Sequence, residues 1–131
     1  MNLDALQSHL KQRLPNLMAI YLFGSQATGE ATATSDLDLA VLVAGRVDPL
    51  DLWATAGELA DIAGLPVDLL DLRAASTVMQ YQVIMKGQCL WSAGVDVGIY
   101  EAFILSEKTN LDTARAGLLS DIYKEGLVHG R

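Results

Sequence analysis

Two segments, Tyr21-Leu22-Phe23-Gly24-Ser25 and Asp36-Leu37-Asp38, organise the rest of this 131-residue chain. The first predicts an apolar strand that ends in a Gly-Ser turn, and the second predicts a strand with acidic residues at positions i and i+2. Side chains two residues apart on a strand point to one face, so the two carboxylates would lie side by side. Adjacent carboxylates repel each other unless a cation lies between them or one stays protonated. The pattern therefore indicates a metal site.

A third predicted strand, residues 67–72, carries the acidic residues Asp68 and Asp71. They project to opposite faces, so only one of them can share the face of Asp36 and Asp38. Asp68 is the better candidate because it is central, whereas polar residues are ordinary near the end of a strand. Three carboxylates can bind two divalent ions, and oxygen ligands favour Mg²⁺ or Mn²⁺ over Zn²⁺. The alternative is that Asp36 and Asp38 lie on a solvated strand edge with no special role.

The Gly24-Ser25 turn is the second candidate site. A glycine at the end of a strand lets backbone N–H groups approach a phosphate closely, and the Ser25 hydroxyl can donate a hydrogen bond to a phosphate oxygen. The alternative is that Ser25 only caps a short helix over residues 26–28. A capping box would place Glu or Gln at position 28, where the chain has Thr28.

Helical and extended patterns alternate along the remaining chain. Proline and glycine punctuate the helices, Asp48 and Ser76 are their predicted N-caps, and residues 89–91 predict a short fourth strand. Residues 96–131 predict one or two further helices. The apolar faces expected for these helices consist of Leu3, Leu6, Leu10 and Leu14, of Leu52, Leu59, Ile62 and Ala63, of Val78, Val83 and Ile84, and of Ile99, Phe103, Ile104, Leu111, Leu118, Leu119 and Ile122.

Composition limits the class of protein. The apolar fraction of 51% predicts one compact domain, and a net charge of −7 argues against duplex DNA or an anionic membrane as the main partner. No signal peptide or run of 18 apolar residues is visible, which favours a cytoplasmic protein. The single cysteine, Cys89, fits a reducing compartment and is expected to be buried. His9 and His129 lack partners at metal-ligand spacing and are expected at the surface.

The combination of these segments resembles a known family. Gly24-Ser25, ten intervening residues, Asp36-Leu37-Asp38 and an acidic residue on a later strand look like the signature of DNA polymerase β-type nucleotidyltransferases. The short chain, the segment from Val67 to Thr77, and Cys89-Leu90-Trp91 further resemble the minimal nucleotidyltransferases of HEPN/MNT toxin–antitoxin modules, the MntA-type antitoxins. The resemblance covers roughly residues 17–92.

This resemblance implies an α/β fold in which a small mixed sheet of about four strands is backed by helices. Gly24 and Ser25 would hold the triphosphate of ATP, Asp36 and Asp38 would bind both metal ions, and Asp68 would help to bind the catalytic ion and activate the acceptor hydroxyl. The ions would be Mg²⁺ or Mn²⁺. AMP would be transferred to a tyrosine of a partner HEPN ribonuclease toxin, which is thereby inactivated within a hetero-oligomeric complex.

Chain length bears on the acceptor. Residues 1–131 are expected to form a single domain with a core at 17–92, which leaves little chain for a small-molecule pocket. The C-terminal helical region, residues 96–131, is therefore the predicted docking surface for a protein acceptor. The alternatives are an antitoxin that blocks its toxin by binding alone, and a nucleotidyltransferase that modifies a small molecule. An Asp-x-Asp glycosyltransferase would need a larger nucleotide-sugar fold.

Overall fold

The computed structural model describes residues 2–32 and 35–128, with side chains described as far as residue 117. Four strands form one sheet backed by helices, as predicted, and the strand order is β3-β2-β1-β4. The strands are β1 (Leu17–Phe23), β2 (Leu37–Val43), β3 (Val67–Asp71) and β4 (Gln88–Ser92). The helices are α1 (Leu3–Arg13), the single turn α2 (Ser25–Thr28), α3 (Pro49–Ala63), α4 (Thr77–Lys86) and α5 (Val95–Val128), with a 3₁₀ turn at Leu72–Ala74.

The sheet is mixed, and its strand directions determine where the site lies. β1 is antiparallel to both β2 and β4, whereas β2 and β3 run parallel. The parallel pair requires a crossover connection, which α3 provides. As a result, the carboxyl end of β1 and the amino ends of β2 and β3 meet at one end of the sheet.

Each face of the sheet packs against its own pair of helices. Leu37, Leu39 and Val41 of β2 share a buried cluster with residues of α1 and α3. Ala40 and Leu42 face the other way, in a cluster with residues of α4 and α5. Side chains along β2 therefore alternate between the two faces, and Asp38 lies on the α4/α5 face.

Local sequence signals define the helix ends, as expected. The side chain of Asp48 accepts hydrogen bonds from the backbone N–H groups of Leu50 (2.9 Å) and Asp51 (3.3 Å), which would otherwise lack partners in the first turn. The Ser76 hydroxyl accepts a similar bond from the N–H of Met79 at 3.2 Å. Gly64 ends α3 with φ of 72°, a conformation that glycine adopts without strain.

Among the described residues, six that were predicted for an apolar face or the core are exposed instead: Ile62, Val78, Cys89, and Ile99, Phe103 and Leu111 of α5. Ile62 and Val78 are each 39% exposed because the buried stripes of α3 and α4 pass beside them. Cys89 is exposed because β4 is an edge strand of the sheet. The residues of α3 and α4 that belong to the buried clusters on the two faces are Leu52, Ala56, Leu59 and Ala63, and Met79, Tyr81, Val83 and Ile84.

α5 is one continuous helix of 34 residues, about 50 Å long. Its first third is anchored, because the Tyr21 hydroxyl donates to Glu101 Oε1 at 3.0 Å and the Tyr100 hydroxyl donates to Gln80 Oε1 at 2.5 Å. Residues 109–117 are exposed. The side chains of Leu118, Leu119 and Ile122, and all of His129, lie outside the described part of the chain.

No helix in the described ranges, not even α5, combines the length and the apolar character that a bilayer crossing requires.

Candidate active site

The acidic residues singled out in the sequence meet at one end of the sheet. Asp38 on β2 pairs in register with Asp68 on the neighbouring parallel strand β3. Paired strands lie about 4.8 Å apart, and residues in register project to the same face, so the two carboxylates are neighbours. Asp36 precedes β2 by one residue instead of lying within the strand. The third carboxylate is therefore positioned by the loop that enters β2 and not by the sheet itself.

These carboxylates repel one another. Burial raises the pKa of the Asp38 carboxyl above its usual value, and the negative charges of Asp68 and then Asp36 raise it further. Within residues 2–32 and 35–128, none of the three forms an ion pair or accepts a hydrogen bond. Their charge is thus uncompensated by the protein, which is the electrostatic condition of a cation-binding site.

The Gly24-Ser25 turn lies directly beside Asp38. Gly24 has φ of 70°, and a Cβ atom at this position would overlap Oδ2 of Asp38, so only glycine fits. Gly24 is itself the N-cap of α2, and no side chain caps that turn. The alternative interpretation of Ser25 as a helix cap is therefore wrong. Its hydroxyl forms no hydrogen bond to any described residue, which leaves it available to a ligand.

A cavity of about 300 Å³ opens beside this turn. Its wall includes Gly24, Ser25 and Thr28 from the turn, and Gln82 and Lys86 from α4. Neither Gln82 nor Lys86 was predicted, because no sequence spacing connects a helix end with a turn so far away in the chain.

Asp68 also borders a second, larger groove of about 580 Å³. This groove runs between α3 and the edge strand β3, and its wall is mostly apolar. Trp53 lies in the wall and is 79% exposed. The acidic end of the sheet is therefore open on both sides.

The opposite end of the sheet holds Asp71 and Arg73. Asp71 is buried at 3% exposure, and its Oδ2 accepts a hydrogen bond from the backbone N–H of Val47 at 2.8 Å. The Arg73 Nε donates to the carbonyl of Val43 at 2.8 Å, and its guanidinium lies over the ring of Tyr100. The predicted placement of Asp68 and Asp71 on opposite faces of the strand is confirmed. The contacts of Arg73 hold it at the end of the sheet opposite the acidic residues.

His9 is half-buried and contacts Glu58 across the α1–α3 interface, with 2.7 Å between Nε2 and Oε1. It takes no part in the acidic end of the sheet.

The acidic end suits a hard divalent cation in charge and donor chemistry. Oxygen donors suit Mg²⁺ and Mn²⁺, and a cation would relieve the repulsion that raises the pKa of Asp38. In the described part of the chain, no three Asp, Glu, His or Cys side chains are placed so that together they could hold a metal ion. Mg²⁺ usually binds to one or two carboxylates and completes its coordination with water and substrate phosphates. The arrangement is therefore that expected of a site shared with a nucleotide.

Comparison with known proteins agrees with this geometry. The family described as "Polymerase beta, Nucleotidyltransferase" matches residues 5–94, which include the whole sheet and the acidic end. The chain belongs to this nucleotidyltransferase family. The family resemblance inferred from Gly24-Ser25 and Asp36-Leu37-Asp38 is confirmed.

Individual members of the family show a more specific likeness. The chain is 37% identical over 113 residues to the protein adenylyltransferase MntA of Shewanella oneidensis, covering 86% of this chain and 81% of that protein. A toxin–antitoxin complex with AMP-PNP superposes with a TM-score of 0.84 at 35% identity, covering 94% of this chain and 99% of that one. The MNT antitoxin in complex with a tri-AMPylated HEPN toxin of S. oneidensis superposes with a TM-score of 0.74 at 33% identity, covering 92% of this chain and 94% of that one.

Proposed function

We propose that this nucleotidyltransferase is an antitoxin that transfers AMP from ATP to a tyrosine of a partner HEPN ribonuclease toxin and thereby inactivates it. The observation that carries the proposal is the neighbouring position of Asp38 and Asp68, two carboxylates without a positively charged partner, beside the Gly24-Ser25 turn. Its support comes from the relatives, one of which is a protein adenylyltransferase, while another is bound to an AMPylated toxin. We place the reaction in the cytoplasm.

The proposed roles follow from position. The Gly24 backbone and the Ser25 hydroxyl hold the triphosphate in the 300 Å³ cavity. Asp36, Asp38 and Asp68 would hold Mg²⁺ or Mn²⁺, which supplies positive charge at the triphosphate and at the departing pyrophosphate. Asp68 accepts the proton of the acceptor tyrosine. The tyrosine oxygen forms a bond to the α-phosphorus, the bond from that phosphorus to the bridging oxygen breaks, and pyrophosphate leaves.

We assign toxin docking to α5. The helix continues well beyond the sheet, and its apolar residues Ile99, Phe103 and Leu111 are exposed. The structural match to the antitoxin of the AMP-PNP complex covers 94% of this chain, so it includes most of this projecting helix. An exposed apolar stripe of this length is typical of a surface that another protein covers.

The first alternative is an antitoxin that acts by binding alone. It gives no reason for three adjacent carboxylates without partners, because their mutual repulsion opposes folding and contributes nothing to docking. The second is modification of a small molecule. The described part of the chain has no second domain that would enclose such a substrate, which disfavours this reading.

The decisive experiment uses ATP labelled at the α-phosphate together with the co-expressed HEPN partner. We expect the label on a tyrosine of the partner, and each transferred AMP should raise the intact mass of that protein by one fixed increment. Label carried over from the γ-phosphate instead would identify a kinase. The Asp36→Asn/Asp38→Asn variant should lose transfer and keep its fold, because both residues lack structural partners.

The matched control is Asp4→Asn/Asp61→Asn, which removes two negative charges from α1 and α3 and should transfer AMP normally. Protection from the toxin by the inactive Asp36→Asn/Asp38→Asn variant would refute the enzymatic antitoxin and favour the binding-only alternative.

A further inference from the structure

We propose that Lys86 binds the β- and γ-phosphates of ATP, a role that rests on the function proposed above and adds a specificity residue to it. Lys86 is the last residue of α4 and lies in the wall of the same cavity as Gly24 and Ser25.

The packing of α4 fixes this position. Val83, one turn earlier, is buried against the sheet. Gly87, which follows Lys86, approaches the backbone carbonyl of Leu22 so closely that a side chain on Gly87 would not fit. Since Leu22 lies near the end of β1, just before Gly24, the end of α4 is held against the end of β1. Lys86 is therefore placed beside the Gly-Ser turn by contacts of its neighbours, while its own side chain stays exposed.

The charge balance of the site gives this side chain a role. Lys86 and Glu30 are the ionisable residues in the cavity wall. Asp38, which lies against Gly24, and its acidic neighbours Asp36 and Asp68 add negative charge at this end of the sheet. ATP carries further negative charge on its β- and γ-phosphates, so a nearby ammonium group reduces the repulsion that the nucleotide meets on entry.

Other lysines of the fold are already engaged. Lys108 pairs with Asp112 at 2.5 Å and lies over the ring of Tyr81, while Lys11 lies over the ring of Trp91. Within the described ranges, Lys86 has neither an ion pair nor a ring contact. A compact, unpaired ammonium group beside the 300 Å³ cavity suits a terminal phosphate of the nucleotide.

The test compares Lys86→Met, Lys86→Arg and the control Lys11→Met, which removes the same charge from α1. We expect Lys86→Met to weaken equilibrium binding of ATP by about 10- to 100-fold, the usual value of a charge-assisted hydrogen bond, and to lower kcat/KM for ATP similarly. Binding of AMP, which lacks the β- and γ-phosphates, should change by less than about twofold. Lys86→Arg should retain most of the affinity for ATP because it keeps the charge.

Unchanged ATP binding in Lys86→Met would overturn the assignment, as would an equal loss of affinity for ATP and AMP. If the wild-type protein modifies its partner and Lys86→Met does so equally well, only the proposed role of Lys86 is refuted. Wild-type protein that neither binds ATP nor transfers AMP would instead refute the proposed function itself.

Discussion

The carboxylates at the acidic end of the sheet and those elsewhere in the fold have opposite surroundings. Asp38 lies beside Asp68 and Asp36 without a positive partner, and these neighbours together with burial raise its pKa. Glu58, between α1 and α3, contacts His9 at 2.7 Å and Arg13 at 3.3 Å, and its pKa is lowered, chiefly by the hydrogen bond with His9. Asp71 accepts a hydrogen bond from the backbone of Val47.

This contrast separates two uses of the same side chain. A carboxylate that stabilises the fold has a donor of its own, so the protein compensates its charge. The carboxylates of the site have none, and in the proposed function their charge is balanced only when substrate and metal are present. Asp68 and Asp71, three residues apart on one strand, show the two uses: Asp68 belongs to the acidic end of the sheet, and Asp71 stabilises the fold.

The largest expected effect concerns Asp68. We expect Asp68→Asn to lower AMP transfer to the partner by roughly 10²- to 10⁴-fold, because the amide cannot accept the tyrosine proton. The unfolding temperature should stay the same or rise slightly, since one source of repulsion is removed. Initial rates with α-labelled ATP and a thermal melt measure both quantities, with Asp61→Asn as the control. A rate of AMP transfer within threefold of wild type would refute the catalytic role of Asp68.

An intermediate effect is expected at Asp71. Asp71→Ala leaves the N–H of Val47 without its acceptor, which should lower the free energy of unfolding by about 1–3 kcal/mol. The Oδ1 atom of Asp71 is buried and has no partner among the described residues, so its removal offsets part of this loss. Denaturant titration gives the stability. AMP transfer by Asp71→Ala, measured well below its melting temperature, should remain within about threefold of wild type. A loss of transfer without a loss of stability would instead assign Asp71 to the site.

The smallest effect is a pH dependence at Glu58. A lowered carboxyl pKa adds stability above the unfolded-state value of 4.5 and loses it as the pH falls through the folded-state value. Glu58→Gln should therefore melt slightly below wild type at pH 7, and the difference in melting temperature should disappear as the pH falls below 4.5 and through the folded-state pKa. For Asp61→Asn, on the same helix, the difference in melting temperature from wild type should not change in this way with pH. If the difference for Glu58→Gln persisted in acid, packing and not the ion pairs would account for it.

Much of the fold was predictable because it depends on short-range patterns. Alternation along β2 gave its two faces, and Asp48 and Ser76 marked the starts of α3 and α4. The two-residue repeat of a strand put Asp68 and Asp71 on opposite faces, and the central position of Asp68 in the strand favoured it over Asp71. The errors at Ile62, Val78 and Cys89 have a different origin, because exposure depends on where neighbouring elements end and which strands form the edges of the sheet.

Order along the chain was sufficient for the strands, the caps, the Gly-Ser turn and the family, since each rests on bonds and periodicities that span a few residues. Three-dimensional packing was needed to bring Lys86 beside Gly24, to bond Asp71 to Val47, and to place Asp38 in register with Asp68. Those contacts join residues that are distant in the chain, and their geometry exists only after the sheet has assembled and the helices have packed onto it.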